Sequence, residues 1–395
     1  MAEKGEDTRR HDLDFIRVGL FGLLIVYHAG LVFGTRAWLV HTDSPSRAFD
    51  VISLVLHPWR ISLLFMISGI TTAMLAKRLS PAAIRGMRSR QLIPPLLFGI
   101  FVIVPPQIYV AATAMFGLNM SYLDFWLTCL RFGSIAGRDG APISPLSLEH
   151  LWFIAYLWVY TFLLTLAVAL GGGQLARIEA ASALVLRGSG VLIWPVLYLA
   201  ALRLCLYPIF GESLSVSQDW YTHLVYFSFF LFGYLIADNR QFWDAMVARR
   251  GQAALIAGLS LTVMIGLFLV FPNRSGGTGI LIVGRIVRSA YQWSTIVAIL
   301  GVCRMAIKRP HRVISYLNGA MLSYYVMHQT ILLLFAYWLQ QTYGLGAGSF
   351  ALIIGVTAVG CAATYEIQRR TLRLLTSRRP SVTIPMVAGS SSPPG

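Results

Sequence analysis

The sequence predicts an all-α, polytopic bundle of about ten membrane-spanning helices. Of its 395 residues, 56% are hydrophobic and 12% are charged, and the mean hydropathy is +0.67. A soluble globular protein carries about 25% charged residues, roughly twice this share. Long apolar runs also recur from one end of the chain to the other. These observations exclude a water-soluble enzyme, a disordered chain and a nucleic-acid-binding domain, so no nucleic-acid partner is expected.

Each predicted span is an apolar run of about 20 residues, the length with which a helix crosses the hydrocarbon core. The first run contains Asp14, Arg17 and His28 and ends without a small-residue cleavage pattern, so it predicts a retained helix rather than a signal peptide. The longest connection, 117–148, is rich in Gly and Pro and predicts an irregular loop. The ten predicted spans are 13–33, 52–76, 92–116, 149–170, 189–208, 221–237, 252–271, 280–303, 314–339 and 348–367.

The runs show no internal repeat and leave no room for a second soluble domain. One membrane domain is therefore expected over 13–368, between a cytoplasmic segment 1–12 and a cytoplasmic tail 369–395. The Ser- and Pro-rich end of the tail is expected to be disordered. The four cysteines lie far apart without a CxxC pair, so neither a zinc site nor a disulfide framework is predicted, and no metal is expected.

The distribution of basic residues predicts the sidedness of the chain. Of the 32 Lys and Arg residues, 22 fall on the side that carries both termini and 5 on the opposite side. Because Lys and Arg accumulate in cytoplasmic segments, both termini are predicted to be cytoplasmic. The formal net charge of +16 is therefore evidence about membrane topology before it is evidence about binding partners.

Several ionisable side chains fall within or at the ends of spans, where their desolvation is costly and a functional role is the first hypothesis. His28 lies about 15 residues into the first span, beyond the predicted midplane. Three different spans place titratable groups at a similar depth in the outer half of the membrane. This outer group comprises His28, His57, Arg60, Glu149 and His150, and His328 lies well inside the ninth span.

A second group of charges lies near the predicted cytoplasmic face. Asp14 and Arg17 are three residues apart on one helix, a spacing that allows an ion pair, and Arg10 precedes Asp14 by four. Arg85, Arg88 and Arg90 come just before the proline pair of the third span. A cationic inner face with a His/Glu/Arg group beyond it suits a phosphate-bearing donor that enters from the cytoplasm and passes a group outward.

Each of these features also has a structural explanation. A single membrane histidine is more often a packing residue than a catalyst, and a basic run before a span often anchors the chain to anionic lipids. The Asp14–Arg17 pair is also explained as mutual neutralisation that makes insertion tolerable. Composition and spacing alone therefore leave an enzyme and a transporter as open alternatives.

Five local motifs resemble those of the acyltransferase-3 family of membrane O-acyltransferases, in the same order, and together they cover about 10–340. The first has an Arg, an Asp four residues later, an Arg three beyond and an apolar run that ends in His. The motifs are RRHDLDFIRVGLFGLLIVYHAG (Arg9–Gly30), WRISLLFMISGI (Trp59–Ile70), RSRQLIPPLLFGIFVIVPPQIY (Arg88–Tyr109), LEHLWFIAYLWVY (Leu148–Tyr160) and LNGAMLSYYVMHQTILL (Leu317–Leu333). The Pro-Pro-Gln and His-Gln forms look closest to the branch of glucan-modifying proteins, which put succinyl groups on periplasmic glucans.

The resemblance implies transfer of an acetyl or succinyl group from acyl-CoA to a carbohydrate hydroxyl, in the inner membrane of a bacterium. The implied partners are membrane lipid, a carbohydrate acceptor and the acyl-CoA donor, and nothing in the sequence addresses oligomeric state. Many family members carry an Arg-x-x-Arg before the third-helix proline. Arg85 and Arg88 have that spacing here but Arg90 is nearer the expected second position, so the arginine that contacts the donor stays open.

Residue chemistry suggests the roles within that reaction. His28 is the expected general base, because imidazole titrates close to neutrality. Glu149 is a candidate to orient a histidine, and Arg60 or His328 to stabilise the developing oxyanion. Contacts to the acceptor are expected from His57, His150 and Trp152. Binding of the CoA phosphates is expected from Arg85, Arg88 and Arg90, with Arg10, Asp14 and Arg17 beside them.

Two alternatives from other classes remain. The first is a transporter or flippase for a glycolipid or polysaccharide, in which His28 and Glu149 relay protons. The second is a scaffold in a polysaccharide-synthesis complex, which would tolerate loss of His28 or Arg85. Within the enzyme hypothesis, direct transfer and a covalent acyl-histidine are both open.

Overall fold

The computed structural model describes residues 10–137, 140, 142–143, 146–212, 218–271, 276–346 and 348–377. Parts of both predicted terminal segments, 1–9 and 378–395, lie outside the described residues. So do Arg138 and Arg274, two of the five arginines that the sidedness prediction assigned to the outer side.

The described residues form helices joined by short connections, with one small hairpin of two-residue strands. The helices are α1 His11–Phe33, α2 Arg47–Ala76, α3 Pro81–Phe98, a π-helical segment Gly99–Ile103, α4 Pro105–Phe116, α5 Tyr122–Leu130, a 3-10 turn Glu149–Leu151, α6 Trp152–Val185, α7 Gly190–Cys205, α8 Tyr207–Phe210, α9 Trp220–Ile236, α10 Arg240–Val270, α11 Gly277–Ala306, α12 Arg312–Tyr343 and α13 Ser349–Ser377. The strands are β1 Ile135–Ala136 and β2 Pro142–Ile143.

The structure confirms the predicted fold class. Within the described residues, nine helical segments are long and apolar enough to cross a membrane. The remaining predicted span, 221–237, corresponds to α9, which has 17 residues and is slightly shorter than the ~20 that a perpendicular helix needs. The spanning part of α6 ends at Gly171, where φ −153° and ψ 43° interrupt the helix.

The predicted start of the third span is wrong because local capping extends the helix. The third span was expected to begin at 92, but α3 begins at Pro81, where the Ser80 hydroxyl accepts the N–H of Ala83 at 3.2 Å. A capping serine followed by proline is a strong helix start. The basic segment before the proline pair is therefore the first half of a helix rather than a connection. At the other end of the chain, 369–377 continue α13 instead of opening the tail.

The connection 117–148 contains more regular structure than the predicted irregular loop. Ser121 caps α5 through the N–H of Asp124 at 3.2 Å. The hairpin of β1 and β2 pairs Ile135 with Ile143, and both side chains are buried. Together α5 and the hairpin cover the end of α4.

Helix α1 packs between α2 and α12, and its contacts define the two ends of the bundle. At the lower end, Asn318 donates to Asp14 at 2.9 Å and Arg17 donates to the Thr71 hydroxyl. At the upper end, the rings of Tyr27 and His57 are 6.0 Å apart. Helix α1 is therefore parallel to α12 and antiparallel to α2, so residues more than 300 positions apart share one depth.

Helices α2 and α9 cross at reciprocal glycines. A Cβ at Gly69 would overlap the carbonyl of Phe230, and a Cβ at Gly233 would overlap the carbonyl of Met66. Small residues permit this backbone approach, which is how helices pack where lipid removes the hydrophobic driving force. The crossing holds α2 next to the rest of the core.

The π-helical segment between α3 and α4 frees backbone carbonyls that other elements bind. Pro105 has no N–H to offer to Phe101, and the indole of Trp126 donates to the Phe101 carbonyl instead, at 2.8 Å. The Ile103 carbonyl accepts the hydroxyl of Thr330 from α12, also at 2.8 Å. The irregular segment is thus fastened to α12, the helix that carries His328.

Candidate active site

Three histidines from three helices meet in the interior of the bundle. The ring centroids of His28 and His328 are 5.1 Å apart, and those of His150 and His328 are also 5.1 Å apart. His328 is fully buried and His150 is 5% exposed, whereas His28 is half-buried. The structure thus brings together His28, His150 and His328, which lie on α1, the turn before α6, and α12.

Each of the three imidazoles is oriented by a backbone carbonyl. His28 Nδ1 lies 3.0 Å from the Leu24 carbonyl, and His328 Nδ1 lies 2.7 Å from that of Tyr325. Because a carbonyl oxygen only accepts, each of these nitrogens carries the hydrogen and the opposite nitrogen presents a lone pair.

His150 is held in the same manner but through its other nitrogen. Its Nε2 donates to the Val326 carbonyl at 3.0 Å, and the hydroxyl of Tyr325 donates to the His150 carbonyl. This reciprocal pair fastens the start of the fourth span to α12. In the described residues, His150 Nδ1 and His328 Nε2 are buried without a hydrogen-bond partner.

Arg60 lies beside the histidines with unused hydrogen-bond donors. Its side chain is 3% exposed, and its guanidinium carbon lies 4.1 Å from the centroid of the Tyr27 ring. The cation–π contact stabilises the charge but takes none of its N–H groups. Arg60 Nε and Nη1 find no hydrogen-bond partner among the described residues, and the charge acts electrostatically on both His28 and His328.

Glu149 adjoins the histidines in sequence without orienting one. Its backbone has φ +41°, an unusual value for a residue with a side chain, and its N–H donates to the Ser147 hydroxyl at 3.1 Å. In the part of the chain that the structure describes, no hydrogen bond or ion pair joins the Glu149 carboxylate to a histidine. Backbone carbonyls do the orienting that the sequence analysis assigned to Glu149.

The other predicted acceptor residues lie around this centre in different surroundings. His57 lies nearer the upper end than His28 does. The Tyr27 ring is next to both, with ring centroids 6.0 Å from His57 and 5.2 Å from His28. Trp152 belongs to an aromatic stack, with its ring 5.5 Å from that of Tyr226.

The predicted donor-binding residues at the lower end divide into two sets. Arg17 lies 4.0 Å from Asp14, as its spacing predicts, and is within electrostatic range of Arg88. Arg88 Nε is buried without a hydrogen-bond partner in the described residues. Arg17 of α1 and Arg88 of α3 are therefore close enough to interact electrostatically, at the lower end of the bundle. Along α1, Arg17 and His28 are about 16 Å apart.

The remaining lower arginines have other neighbours. Arg10 makes a bidentate ion pair with Asp12, at 2.9 and 2.7 Å, and lies over the Trp243 ring. Arg85 lies 5.9 Å from the centroid of the Phe162 ring, and its Nη1, like Arg88 Nε, is buried without a hydrogen-bond partner in the described residues. Arg90 is exposed and donates to the Gly86 carbonyl of its own helix at 3.2 Å.

A polar network that was not predicted from the sequence connects the motif Arg88–Tyr109 with the motif Leu317–Leu333. Gln329 donates to Gln107 at 3.0 Å, and Gln107 donates to Thr330, whose hydroxyl holds the Ile103 carbonyl. The Gln of the Pro-Pro-Gln motif therefore contacts the helix turn that begins with His328. A glutamine inside a predicted span was the available signal, since a buried amide in a membrane needs a partner.

Two further arginines inside predicted spans were given no role from the sequence. Arg203, which is buried, and Arg288, which is partly buried, lie at the upper end near His57, together with Glu212. An arginine inside a span is by itself a reason to expect a functional site.

This arrangement has the parts that acyl transfer to a hydroxyl requires. Neutral imidazoles with free lone pairs can accept a proton, and an unpartnered guanidinium can stabilise a developing oxyanion. No group of three or more His, Cys, Asp or Glu side chains in the described residues is arranged to hold a metal ion.

Comparison with known proteins agrees with the resemblance that the motifs carry. Residues 10–366 match the acyltransferase-3 family model, described as an acyltransferase domain. Glucans biosynthesis protein C of Escherichia coli (strain SMS-3-5 / SECEC) is 27% identical over 159 residues, which cover 39% of this chain and 38% of that protein. The protein of the same name from Escherichia coli O1:K1 / APEC matches to the same extent, so the alignment spans less than two fifths of these relatives.

No solved structure matches the chain. The family model covers the first motif from residue 10 and the other four in full, and it includes His28, Arg60, His150 and His328. The chain therefore belongs to the acyltransferase-3 family.

Proposed function

We propose that this protein is a membrane O-acyltransferase that moves an acetyl or succinyl group from cytoplasmic acyl-CoA to a carbohydrate hydroxyl on the outer side of a bacterial inner membrane. The observation that carries the proposal is the convergence of His28, His150 and His328 beside the unpartnered donors of Arg60. Family membership and the similarity to proteins named for glucan biosynthesis support the reaction class and a glucan or related glycan as acceptor.

The donor enters from the lower end, which faces the cytoplasm in this proposal. Arg17 and Arg88 bind phosphates of the nucleotide end, because a guanidinium presents forked donors to phosphate oxygens. The pantetheine arm then covers the ~16 Å along α1 and brings the thioester to His28. Arg10 acts indirectly, since its guanidinium is already paired with Asp12 and stabilises the first turn of α1.

The transfer step is a balanced exchange at the histidines. The acceptor hydroxyl oxygen attacks the thioester carbonyl carbon while His28 Nε2 takes the hydroxyl proton. Arg60 stabilises the oxyanion, which collapses to the ester as the carbon–sulfur bond breaks. The proton passes from the imidazolium to the thiolate, and the products are the ester and free CoA. His150 and His328 line the site around the reacting atoms and keep it polar.

Replacement of His28 tests the proposal directly. We expect His28→Ala to lower the rate of transfer by about 10²–10⁴, because general-base assistance supplies an acceleration of that size. The measurement is transfer of label from radioactive acyl-CoA to a glucan by the purified, reconstituted protein. His311→Ala is the matched control, since His311 is exposed at the start of α12.

The outcomes separate the alternatives. Full activity in His28→Ala contradicts the assigned base. If the protein moves sugar across the vesicle membrane without consuming thioester, it is a transporter. If its cellular role survives the loss of both His28 and Arg88, it is a scaffold. Mass analysis of the stalled protein distinguishes direct transfer from an acylated His28.

A further inference from the structure

A second group of charged side chains lies at the upper end of the bundle, one step beyond the reaction centre. We call it the upper arginine cluster and define it as Arg203 of α7, Arg288 of α11, His57 of α2 and Glu212, which follows α8. These four residues line one small cavity, together with Tyr221, Tyr226 and Gln292. The transfer step described above uses none of the charged members.

Three neutral side chains accept hydrogen bonds from Arg203. Its Nε donates to the Tyr221 hydroxyl at 2.9 Å, and its two terminal nitrogens donate to Ser289 at 3.2 Å and Gln292 at 2.9 Å. Gln292 in turn donates to Ser62 at 2.8 Å. The side chain is 4% exposed, so the protein fixes this positive charge in place with hydrogen bonds that do not neutralise it.

Arg288 and His57 add a second charge without adding a counter-charge. Arg288 Nη2 donates to His57 Nδ1 at 2.9 Å, which requires that nitrogen to be unprotonated. His57 is therefore neutral, with its hydrogen on Nε2, which faces a Glu212 carboxylate oxygen at 3.8 Å. The guanidinium charge of Arg288 remains.

The cluster has two guanidiniums, those of Arg203 and Arg288, and one carboxylate, that of Glu212, so its positive charges outnumber its negative one. All three act electrostatically on His57, as does the guanidinium of Arg60 in the reaction centre. The nearby Asp219 accepts the N–H of Thr222 at 3.1 Å and caps α9. Charges taken out of water are costly unless they are paired, and most of all within a membrane domain. An anion that enters the cavity would supply the missing partner.

We propose that the upper arginine cluster binds an anionic oxygen group, a carboxylate or a phosphate, that a substrate of the acyl transfer carries. The inference rests on the proposed function and deepens it by stating the substrate charge. Tyr27 connects the cluster to the reaction centre, because its ring lies against His57, His28 and Arg60. A group bound here is therefore beyond the reacting carbon as seen from Arg17 and Arg88. It belongs either to the acceptor glycan or to the far end of the acyl chain.

A binding experiment on the full-length protein tests the proposal without using the transfer reaction. The probes are glucose 6-phosphate against glucose for the acceptor source, and succinamate against succinamide for the acyl source. Each is titrated into purified protein while the thermal unfolding midpoint is recorded, since a ligand that binds the folded state raises Tm. We expect at least one anionic probe to raise Tm and its neutral counterpart to have no effect. The probe that acts identifies the source.

Substitution of Arg288 locates the effect in the cluster. We expect Arg288→Met to weaken binding of the active probe by about ten- to a hundredfold, the usual consequence of losing a charged hydrogen bond. Arg288→Lys keeps the charge and retains part of the affinity. Arg47→Met is the matched control, because Arg47 is exposed at the same end and its removal takes away one charge outside the cavity.

Two results overturn the proposal. One is a wild-type protein that no anionic probe stabilises, a result that needs no variant to fold. The other is equal stabilisation of wild type and of Arg288→Met. A failure of the proposed function is separate, because it is seen as absence of acyl-CoA consumption with every donor, whereas these titrations contain no donor.

Discussion

Three imidazoles in the membrane interior are held by backbone carbonyls and not by a carboxylate. His28, His150 and His328 each give one N–H to a carbonyl of α1 or α12. A carboxylate partner would favour the charged imidazolium, whereas a carbonyl fixes the tautomer without a full charge. In the proposed reaction the opposite ring nitrogens are available to the substrate, and Arg60, with two donors unpartnered in the described residues, stabilises the developing oxyanion.

The structure distinguishes Arg88, which has a buried donor without a hydrogen-bond partner in the described residues, from the exposed Arg90. We expect Arg88→Gln to raise the KM for acyl-CoA by about tenfold or more, because Arg88 has an unpartnered buried donor in the described residues near Arg17 and the variant loses the proposed charged contact to phosphate. Arg90→Gln is expected to have a much smaller effect, because Arg90 is exposed on another face of α3. Steady-state kinetics with varied acyl-CoA measure both. Equal increases in KM, or a larger one for Arg90→Gln, would contradict this ranking.

At the scale of elements, irregular backbone and small residues determine where the helices meet. The π-helical segment and the prolines after it leave carbonyls that Trp126 and Thr330 bind. Such segments often occur at functional sites, since they redirect the side chains that follow. Here the result is a connection from the third span, through Gln107 and Gln329, to the turn of α12 that carries His328.

The α2–α9 crossing is the packing contact most sensitive to side-chain size. We expect Gly69→Leu to destabilise the protein by about 1–3 kcal/mol or to prevent assembly, because the new side chain would overlap the backbone of α9. Thermal unfolding in detergent measures the effect. Gly258→Leu on α10 is the control, since a Cβ there meets no atom within 4 Å. The crossing is not a tight contact if both variants unfold at the wild-type temperature.

At the scale of the whole molecule, the two ends of the bundle have different chemistry. The lower end carries Arg17 and Arg88, the upper end carries the arginine cluster around His57, and the histidines lie between them. A reaction whose donor and acceptor arrive from opposite sides of a membrane needs this order. This arrangement of arginines, histidines and upper cluster serves the proposed reaction only if the lower end of the bundle faces the cytoplasm.

Cysteine labelling tests that orientation. In a Cys205→Ser, Cys303→Ser background, we expect a membrane-impermeant maleimide to label Asn119→Cys in intact spheroplasts and Arg309→Cys only after lysis, because the two positions lie at opposite ends. Cys129 can remain, since it is buried and its burial raises the pKa of the thiol and suppresses its reaction. Labelling of Arg309→Cys in intact spheroplasts would reverse the bundle and contradict the donor route.

The amino-acid sequence by itself was enough to establish the fold class and most spans, because repeated apolar runs of membrane length are rare outside membrane-spanning helices. It also identified His28, His150, His328 and Arg60, since ionisable residues inside a span stand out from their surroundings. The motif order was enough to recognise the family. It did not show that α3 begins as early as Pro81, because the first half of that helix is polar and resembles a connecting segment.

Only the tertiary structure decided which of these residues meet. His28 and His328 are 300 positions apart, and their rings lie side by side because α1 and α12 are parallel and in register, a relation set by packing and not by either helix alone. The same packing gave the orienting role to backbone carbonyls in place of Glu149 and assembled Arg203, Arg288 and Glu212 around His57. Hydropathy reports how deep a residue lies in the membrane, whereas the rotation of each helix, which decides its neighbours, depends on contacts from all the others.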